Sequence, residues 1–184
     1  MGRMSVQTLK ANLQNPARIY LWEMFIPIVP GGGDIDALRT RCQTSVIPGV
    51  SSGNIHIDYK GTGGFNVPGR LRFPQTITLE FLEGEDSKIF DTINSWRQLI
   101  TDHLLGVGEP DVVVKVPMYL KLITKQDTEW NGTLFQGAWP QDRADVPLNY
   151  TTDAEVRFSV TFQYDLWTPI STAAGADQVS RLVV

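Results

Sequence analysis

Cysteine is almost missing from this sequence. Cys42 is the only one, so no intramolecular disulfide framework is available, which fits a reducing compartment. Histidine is scarce as well: His56 and His103 stand alone and far apart, and with one thiol they offer no zinc-ligand spacing. Long apolar runs are lacking. The longest, Phe25–Val29, falls far short of the roughly 20 residues a bilayer-spanning helix needs. Met1–Lys10 carries basic residues with no apolar stretch behind them, so no signal peptide is read. The sequons Asn131-Gly132-Thr133 and Asn149-Tyr150-Thr151 are then chance matches, because glycosylation requires a secretory route. Positive charge is not in excess, since the net charge is −4, and a basic nucleic-acid-binding surface is not the default reading. Gly61-Thr62-Gly63-Gly64 opens no helix and is closed by no Gly-Lys-Ser/Thr, so it is not a phosphate loop. Serine-hydrolase, kinase and metalloprotease signatures are missing, as are internal repeats and any domain linker.

What is present points to one mainly β domain over residues 1–184. That length is enough to bury a real core. The stretch Leu71–Leu105 organises it. Thr76–Leu82 alternates, with Ile77, Leu79 and Phe81 on one face and Thr76, Thr78 and Glu80 on the other, the period of a half-buried strand. Glu83-Gly84-Glu85 breaks the run, and Asp86 is positioned to cap a helix over about 86–105. Ile89, Phe90, Ile93, Trp96, Leu99, Ile100 and Leu104 form one apolar stripe on that helix. The remainder is read as β structure that this single helix covers.

In chain order, Met1–Pro16 reads as an arm and Arg18–Ile28 as a strand apolar on nearly both faces. A glycine-rich loop follows at Pro30–Asp34, then a short helical turn at Asp36–Arg41 and a strand at Arg41–Ile47. Gly53–Lys60 alternates sharply, Ile55, Ile57 and Tyr59 against Asn54, His56, Asp58 and Lys60. Gly61–Arg70 reads as the long tip of a hairpin between this strand and Leu71, and a loop of that length is commonly functional. Val112–Lys125 is a long strand whose Pro117 calls for an edge or a bulge, and Thr133–Trp139 returns from it. Glu155–Trp167 is the cleanest strand, with Val156, Phe158, Val160, Phe162 and Tyr164 on one face. Thr168–Val184 reads as a second tail.

Candidate chemistry is sparse. His56, Asp58 and Glu80 contain the elements of an acid–base site, but on alternating strands they read more simply as solvated faces. His103 reads as a favourable charge near a helix C-terminus and Cys42 as a half-buried structural thiol. Trp22, Trp96, Trp130, Trp139 and Trp167 suit core and interface packing better than a sugar-stacking platform. No catalytic residue, cofactor or metal is expected. A carbohydrate-binding β domain and a hydrolase are the rivals from other classes.

The order of motifs resembles the tube proteins of contractile bacteriophage tails and their relatives in pyocins, extracellular injection systems and type VI secretion. The matching residues are Pro68-Gly69, Arg72-Phe73-Pro74, Ile77-Thr78-Leu79, the turn Gly84-Glu85-Asp86, the pair Phe90 and Trp96, and the closing strand Val156–Trp167. Glu80-Phe81-Leu82 departs from the Lys-Arg-Gly often found there. The resemblance spans about Arg18 to Trp167 and implies a β-sandwich or partly open barrel with one flanking helix, a long hairpin loop and extended N- and C-terminal arms. It implies rings of six copies stacked into a tube, with the sheath outside, tape-measure protein and then DNA inside, baseplate and tail-terminator proteins at the ends, and no membrane binding. It places the protein in the virion, assembled in the host cytoplasm, and keeps a tube initiator or a type VI tube protein as alternatives. Gly61, Thr62, Gly63, Gly64, Phe65, Asn66, Val67, Pro68 and Gly69 would contact the next ring. The polar faces would line the bore through Asn54, His56, Asp58, Lys60, Thr76, Thr78, Glu80, Glu155, Arg157 and Asp165.

Overall fold

The computed structural model describes residues 17–171 apart from 62, 127, 128 and 152; the arm 1–16 and the end of the tail, 172–184, lie outside it. The strands are β1 (Trp22–Phe25), β2 (Cys42–Thr44), β3 (Ser51–Asp58), β4 (Gly64–Arg72), β5 (Thr76–Leu82), β6 (Val116–Ile123), β7 (Glu129–Arg143), β8 (Arg157–Gln163) and β9 (Leu166–Ser171). The helices are α1 (Ile35–Arg41), α2 (Lys88–Ile100) and the single turn α3 (Asp111–Val114). Seven strands form one antiparallel sheet in the order β1-β6-β7-β8-β5-β2, with β9 also on β7, while β3 and β4 make a separate two-stranded ribbon. The large sheet curls into a half-barrel, in keeping with the partly open barrel expected above.

The curl arises from a stagger. β8 and β9 lie along the same side of β7, and the register runs on without a slip from Trp139↔Gln163 to Gln136↔Leu166. They behave as one long strand interrupted at Tyr164 and Asp165. Beside the break, Gly137 has φ +65°, and a Cβ there would lie 2.3 Å from an Asp165 carboxylate oxygen, so only glycine fits the bend. β5 pairs with the β8 half and β6 with the other half of β7. The two halves of the sheet therefore turn across one another.

Core residues come from one face of each half and from α2. Ile77, Leu79 and Phe81 face Phe162, Val160 and Phe158 across β5–β8, and all six are buried. Phe90 stacks on Phe158 at 4.5 Å, and Trp96 meets Phe162 at 5.9 Å. Most of the helical stripe is as the spacing predicts: Ile89, Ile93 and Trp96 are fully buried, Phe90 and Ile100 are partly buried against them, and Leu99 is half-buried. Trp96 Nε1 donates to the Val114 carbonyl at 2.8 Å, which ties α3 to the helix.

Several local expectations need correcting. Asp86 is not the cap of α2. Ser87 occupies that position at φ 51° with no side-chain bond to the helix, and Glu83 caps from further back. Its carboxylate accepts from Phe90 N at 2.7 Å and Ile89 N at 3.4 Å, where the helix dipole favours a negative group. Asp86 instead forms a two-pronged pair with Arg41, at 2.6 and 2.7 Å, bracing α1 against the start of α2. The helix stops at Ile100 rather than near 105, and Leu104 is 94% exposed. The first strand is only Trp22–Phe25. Val112–Val114 belong to α3, and β6 starts at Val116. Residues 64–69 are strand β4 rather than loop, because β3 finds its partner there instead of at Leu71–Leu82. The region read as tail from Thr168 begins inside β9.

Strand prolines follow the stagger. Pro117 lies beyond the last β1 pairing on β6, at a register shift. Pro140 lies beyond Ala138, where β6 ends against β7. Pro169 is on β9, whose other side is unpaired among the described residues. Each can turn its missing N–H toward an open side and cost the ladder nothing.

Two outcomes follow for stability. Trp96→Ala removes a fully buried ring and orphans the Val114 carbonyl; urea unfolding should show a loss of about 3–5 kcal/mol. Hydrogen bonding to Arg41 holds the Asp86 carboxyl at about 2, below its ordinary 3.8. The folded-state value is depressed, so the pair's stabilisation is complete above about pH 4 and fades as pH falls toward 2. Urea midpoints measured across that window should fall more steeply for the native chain than for Asp86→Asn, and parallel curves would refute the assignment.

Candidate functional site

Backbone pairing assembles a polar face on the side of the β5–β8 sheet away from α2. Thr76, Thr78 and Glu80 stand opposite Gln163, Thr161 and Ser159, with Arg157 opposite Leu82. Alternation forces this: the apolar partners of the same strands point to the helix, so these side chains must point the other way. Thr78 and Thr161 hydroxyls meet at 3.2 Å, and Thr44 on β2 donates to Glu80 at 3.0 Å. The face is thus continuous over β2, β5 and β8, hydroxyl-rich, and carries one carboxylate and one guanidinium.

Four of the ten candidate lining residues, Thr76, Thr78, Glu80 and Arg157, share this face. Glu155 lies just before β8, with its carboxylate 3.1 Å from Arg157. Asp165 sits at the bend and pairs with Lys115 at 3.2 Å. That hydrogen bond and a second that Lys115 donates to Asp111 raise the lysine's pKa. The remaining four lie elsewhere. Asn54, His56 and Asp58 are on β3 and Lys60 is in the turn that follows it, all part of the separate ribbon. Thr44, Ser159, Thr161 and Gln163 complete the sheet face and were not among the candidates. The alternation of Glu155–Asp165 placed the last three on this side; nothing local announced Thr44, which reaches it only through the pairing of β2 with β5.

The β3–β4 ribbon is amphipathic in its own right. Ile55 faces Val67 and Ile57 faces Phe65, which puts these four side chains together on one side. Ile55, Ile57 and Phe65 are 54%, 42% and 54% exposed. On the other side His56 bonds Asn66 at 2.8 Å and Asp58 at 2.9 Å. Gly64 lies under the imidazole, where a Cβ would come within 2.3 Å of Nε2. Of the residues expected in a ring-contacting loop, Gly61 and Gly63 are in the turn, Gly64, Phe65, Asn66, Val67, Pro68 and Gly69 are in β4, and Thr62 lies outside the described residues.

Catalytic geometry does not assemble from the candidate residues. His56 and Asp58 are exposed on the ribbon, whereas Glu80 is on the large sheet and bound to Thr44. Trp96 is in the core and Trp22, Trp139 and Trp167 pack against it, which leaves no row of free indoles for sugar; the side chain of Trp130 lies outside the described set. Burial pushes the Cys42 thiol up to about 12, away from the thiolate form that a nucleophile needs. Among the described residues, no three of His, Cys, Asp and Glu come together as a metal site would require.

Comparison with known proteins agrees with this architecture. The family model described as phage tail tube protein matches residues 26–169. No curated protein sequence matches the chain. Among solved structures, the fold is similar to a chain of the sheath–tube complex of an extracellular contractile injection system, PVC, in its extended state. That match has a TM-score of 0.60 and 16% identity, covering 92% of this chain and 100% of the other. It is similar to a chain of the anti-feeding prophage tube-terminating cap, with a TM-score of 0.62, 17% identity and coverage of 92% and 100%. A chain of the anti-feeding prophage baseplate gives a TM-score of 0.63 at 8% identity, covering 86% and 97%. With its half-barrel, its helix-backed polar face and a family match over most of its length, the chain belongs to the phage tail tube protein family and is a structural subunit of a tail tube.

Proposed function

We propose that residues 1–184 act as one non-enzymatic domain that builds the tube of a contractile phage tail, in rings of six copies stacked end to end. The observation that carries this is a polar face between two open edges. β2 ends the sheet on one side. On the other, Trp139–Arg143 of β7 runs past the end of β6 with only β8 beside it among the described residues. Open edges invite pairing with further strands, and unlike edges that meet by rotation close a ring. In such a ring the helix faces outward to the sheath and the Thr76–Glu80 face lines the bore.

The chemistry of that face suits passage. Duplex DNA carries one charge per about 1.7 Å, so a basic wall would hold it. Hydroxyls and the Glu80 carboxylate give it no grip, and Arg157 moderates the repulsion. Tape-measure protein and then DNA would move through the bore, with terminator and baseplate proteins at its ends. The assembled tube would belong to the virion and form in the host cytoplasm. The amphipathic β3–β4 ribbon, with its turn at 59–63, is the ring-to-ring contact. Similarity to a cap chain and a baseplate chain favours one second reading, an end-of-tube or initiator subunit, related in architecture to type VI tubes.

Negative-stain images of the purified chain at high concentration should show six-fold rings or hollow tubes. A stable monomer that never polymerises would overturn the proposal, and rings that never lengthen would favour the initiator. Replacing exposed ribbon residues, Ile57→Ser together with Phe65→Ser, should leave thermal unfolding within about 2 °C of the native chain, since surface changes usually stay within about 0.5 kcal/mol. Rings should persist while long tubes disappear.

A further inference from the structure

The ribbon needs a surface to sit on, and the structure offers one at the far end of the same subunit. Among the described residues β3 and β4 pair only with each other, and an isolated two-stranded ribbon is marginal in water. The ribbon joins the large sheet at the start of β5, through Phe73–Gln75, where the Tyr164 hydroxyl donates to the Pro74 carbonyl. β5 then runs seven residues to Leu82, about 23 Å for an extended strand. There the surface is hollowed. Two adjoining cavities of about 660 Å³ and about 650 Å³ share Val146, Leu148, Glu155 and Val156; Tyr150 lines one of them and Leu82 and Phe90 the other. Leu148, Tyr150 and Val156 are exposed.

We infer that this groove, between the 144–156 segment and the start of α2, receives the apolar face of the β3–β4 ribbon from the copy in the next ring. The inference rests on the stacking role proposed above for the ribbon and names the surface that accepts it. Two observations choose a second copy as the occupant. The first is position: the ribbon and the groove lie at opposite ends of β5. A subunit that offers one at its top and the other at its bottom makes a head-to-tail contact that repeats without closing, and repetition of that kind generates a filament. The second is charge. Residues 51–72 carry Lys60, Arg70 and Arg72 against Asp58, whereas residues 142–157 carry Asp142, Asp145, Asp153 and Glu155 against Arg143 and Arg157. Apolar centres with opposite charge around them fit each other and reject their own kind. Ile55, Ile57, Phe65 and Val67 would cover Val146, Leu148 and Val156. The acidic rim would meet the arginines at the ribbon's base.

Cysteine pairs test the contact in the full-length chain, with the native chain, which carries Cys42 alone, as the control. Ile57→Cys combined with Leu148→Cys should, on mild oxidation of assembled tubes, give a ladder of dimers, trimers and longer species on a non-reducing gel. Ile57→Cys with a cysteine at Asn94, on the outer face of α2, should not. Separately, Leu148→Lys should leave rings intact while tube yield falls about tenfold or more, because a charge placed between two apolar faces must be stripped of water when they meet. Normal tubes from Leu148→Lys, with no ladder from the Ile57 and Leu148 pair, would overturn the groove assignment and leave the ribbon's stacking role standing. Normal tubes from the Ile57→Ser, Phe65→Ser variant would overturn both. A cross-link within one chain between Val183→Cys and Leu148→Cys would assign the groove to the chain's own C-terminal segment and likewise overturn the inference.

Discussion

Two half-sheets share one strand, and that sharing shapes the molecule. β7 is fifteen residues long, which is more than any neighbour on either side. β6 reaches Ala138 and goes no further, while β5 joins only the β8 part of the strand lying opposite. A sheet built with its neighbours staggered in this way cannot stay flat, because each half follows its own twist. The bend is fixed where Asp165 crosses Gly137, where a Cβ would collide with the Asp165 carboxylate. A concave apolar side results, and α2 fills it.

The same stagger decides which surfaces are left over. A strand longer than its neighbour must expose an edge beyond the neighbour's end, and the prolines at 117, 140 and 169 sit where such an edge begins or runs. They blunt hydrogen bonding at single points without closing the edges. Among the described residues, the polar face between β2 and β7 is then a wall with two unfinished sides, and the ribbon a largely exposed apolar surface. Both are liabilities in a monomer and become useful once identical copies surround each subunit.

Electrostatics divides into two tasks. Near α2 it is structural: Arg41 grips Asp86 and lies 3.6 Å from Glu83, while Lys88 pairs with Asp34 at 2.8 Å. These contacts staple α1 and the glycine loop before it to the start of α2, with Thr92 adding a hydroxyl that accepts from Asp34 N at 3.1 Å. On the polar face of β2, β5 and β8 charge is sparse and hydroxyls dominate.

Much of this was legible in the residues. The alternation in Thr76–Leu82 and in Glu155–Tyr164, and the stripe from Ile89 to Ile100, each follow from one repeat distance acting on neighbours in the chain, so the two faces and the buried helix side needed no tertiary knowledge. Other features depended on partners distant in sequence. Glycine content made residues 64–69 look like loop, yet β3 supplies the pairing that turns them into strand. Asp86 has the ordinary look of a cap, but Arg41, far upstream, draws it away, and Glu83 caps from within a turn the helix must first fold back upon. The sequence by itself determined a β chain with one amphipathic helix and two-faced strands. Only the tertiary structure decided which strands adjoin, where β7 outruns its neighbours, and hence which edges and which groove stay open, because hydrogen-bond pairing between distant strands is not encoded in the period of either one.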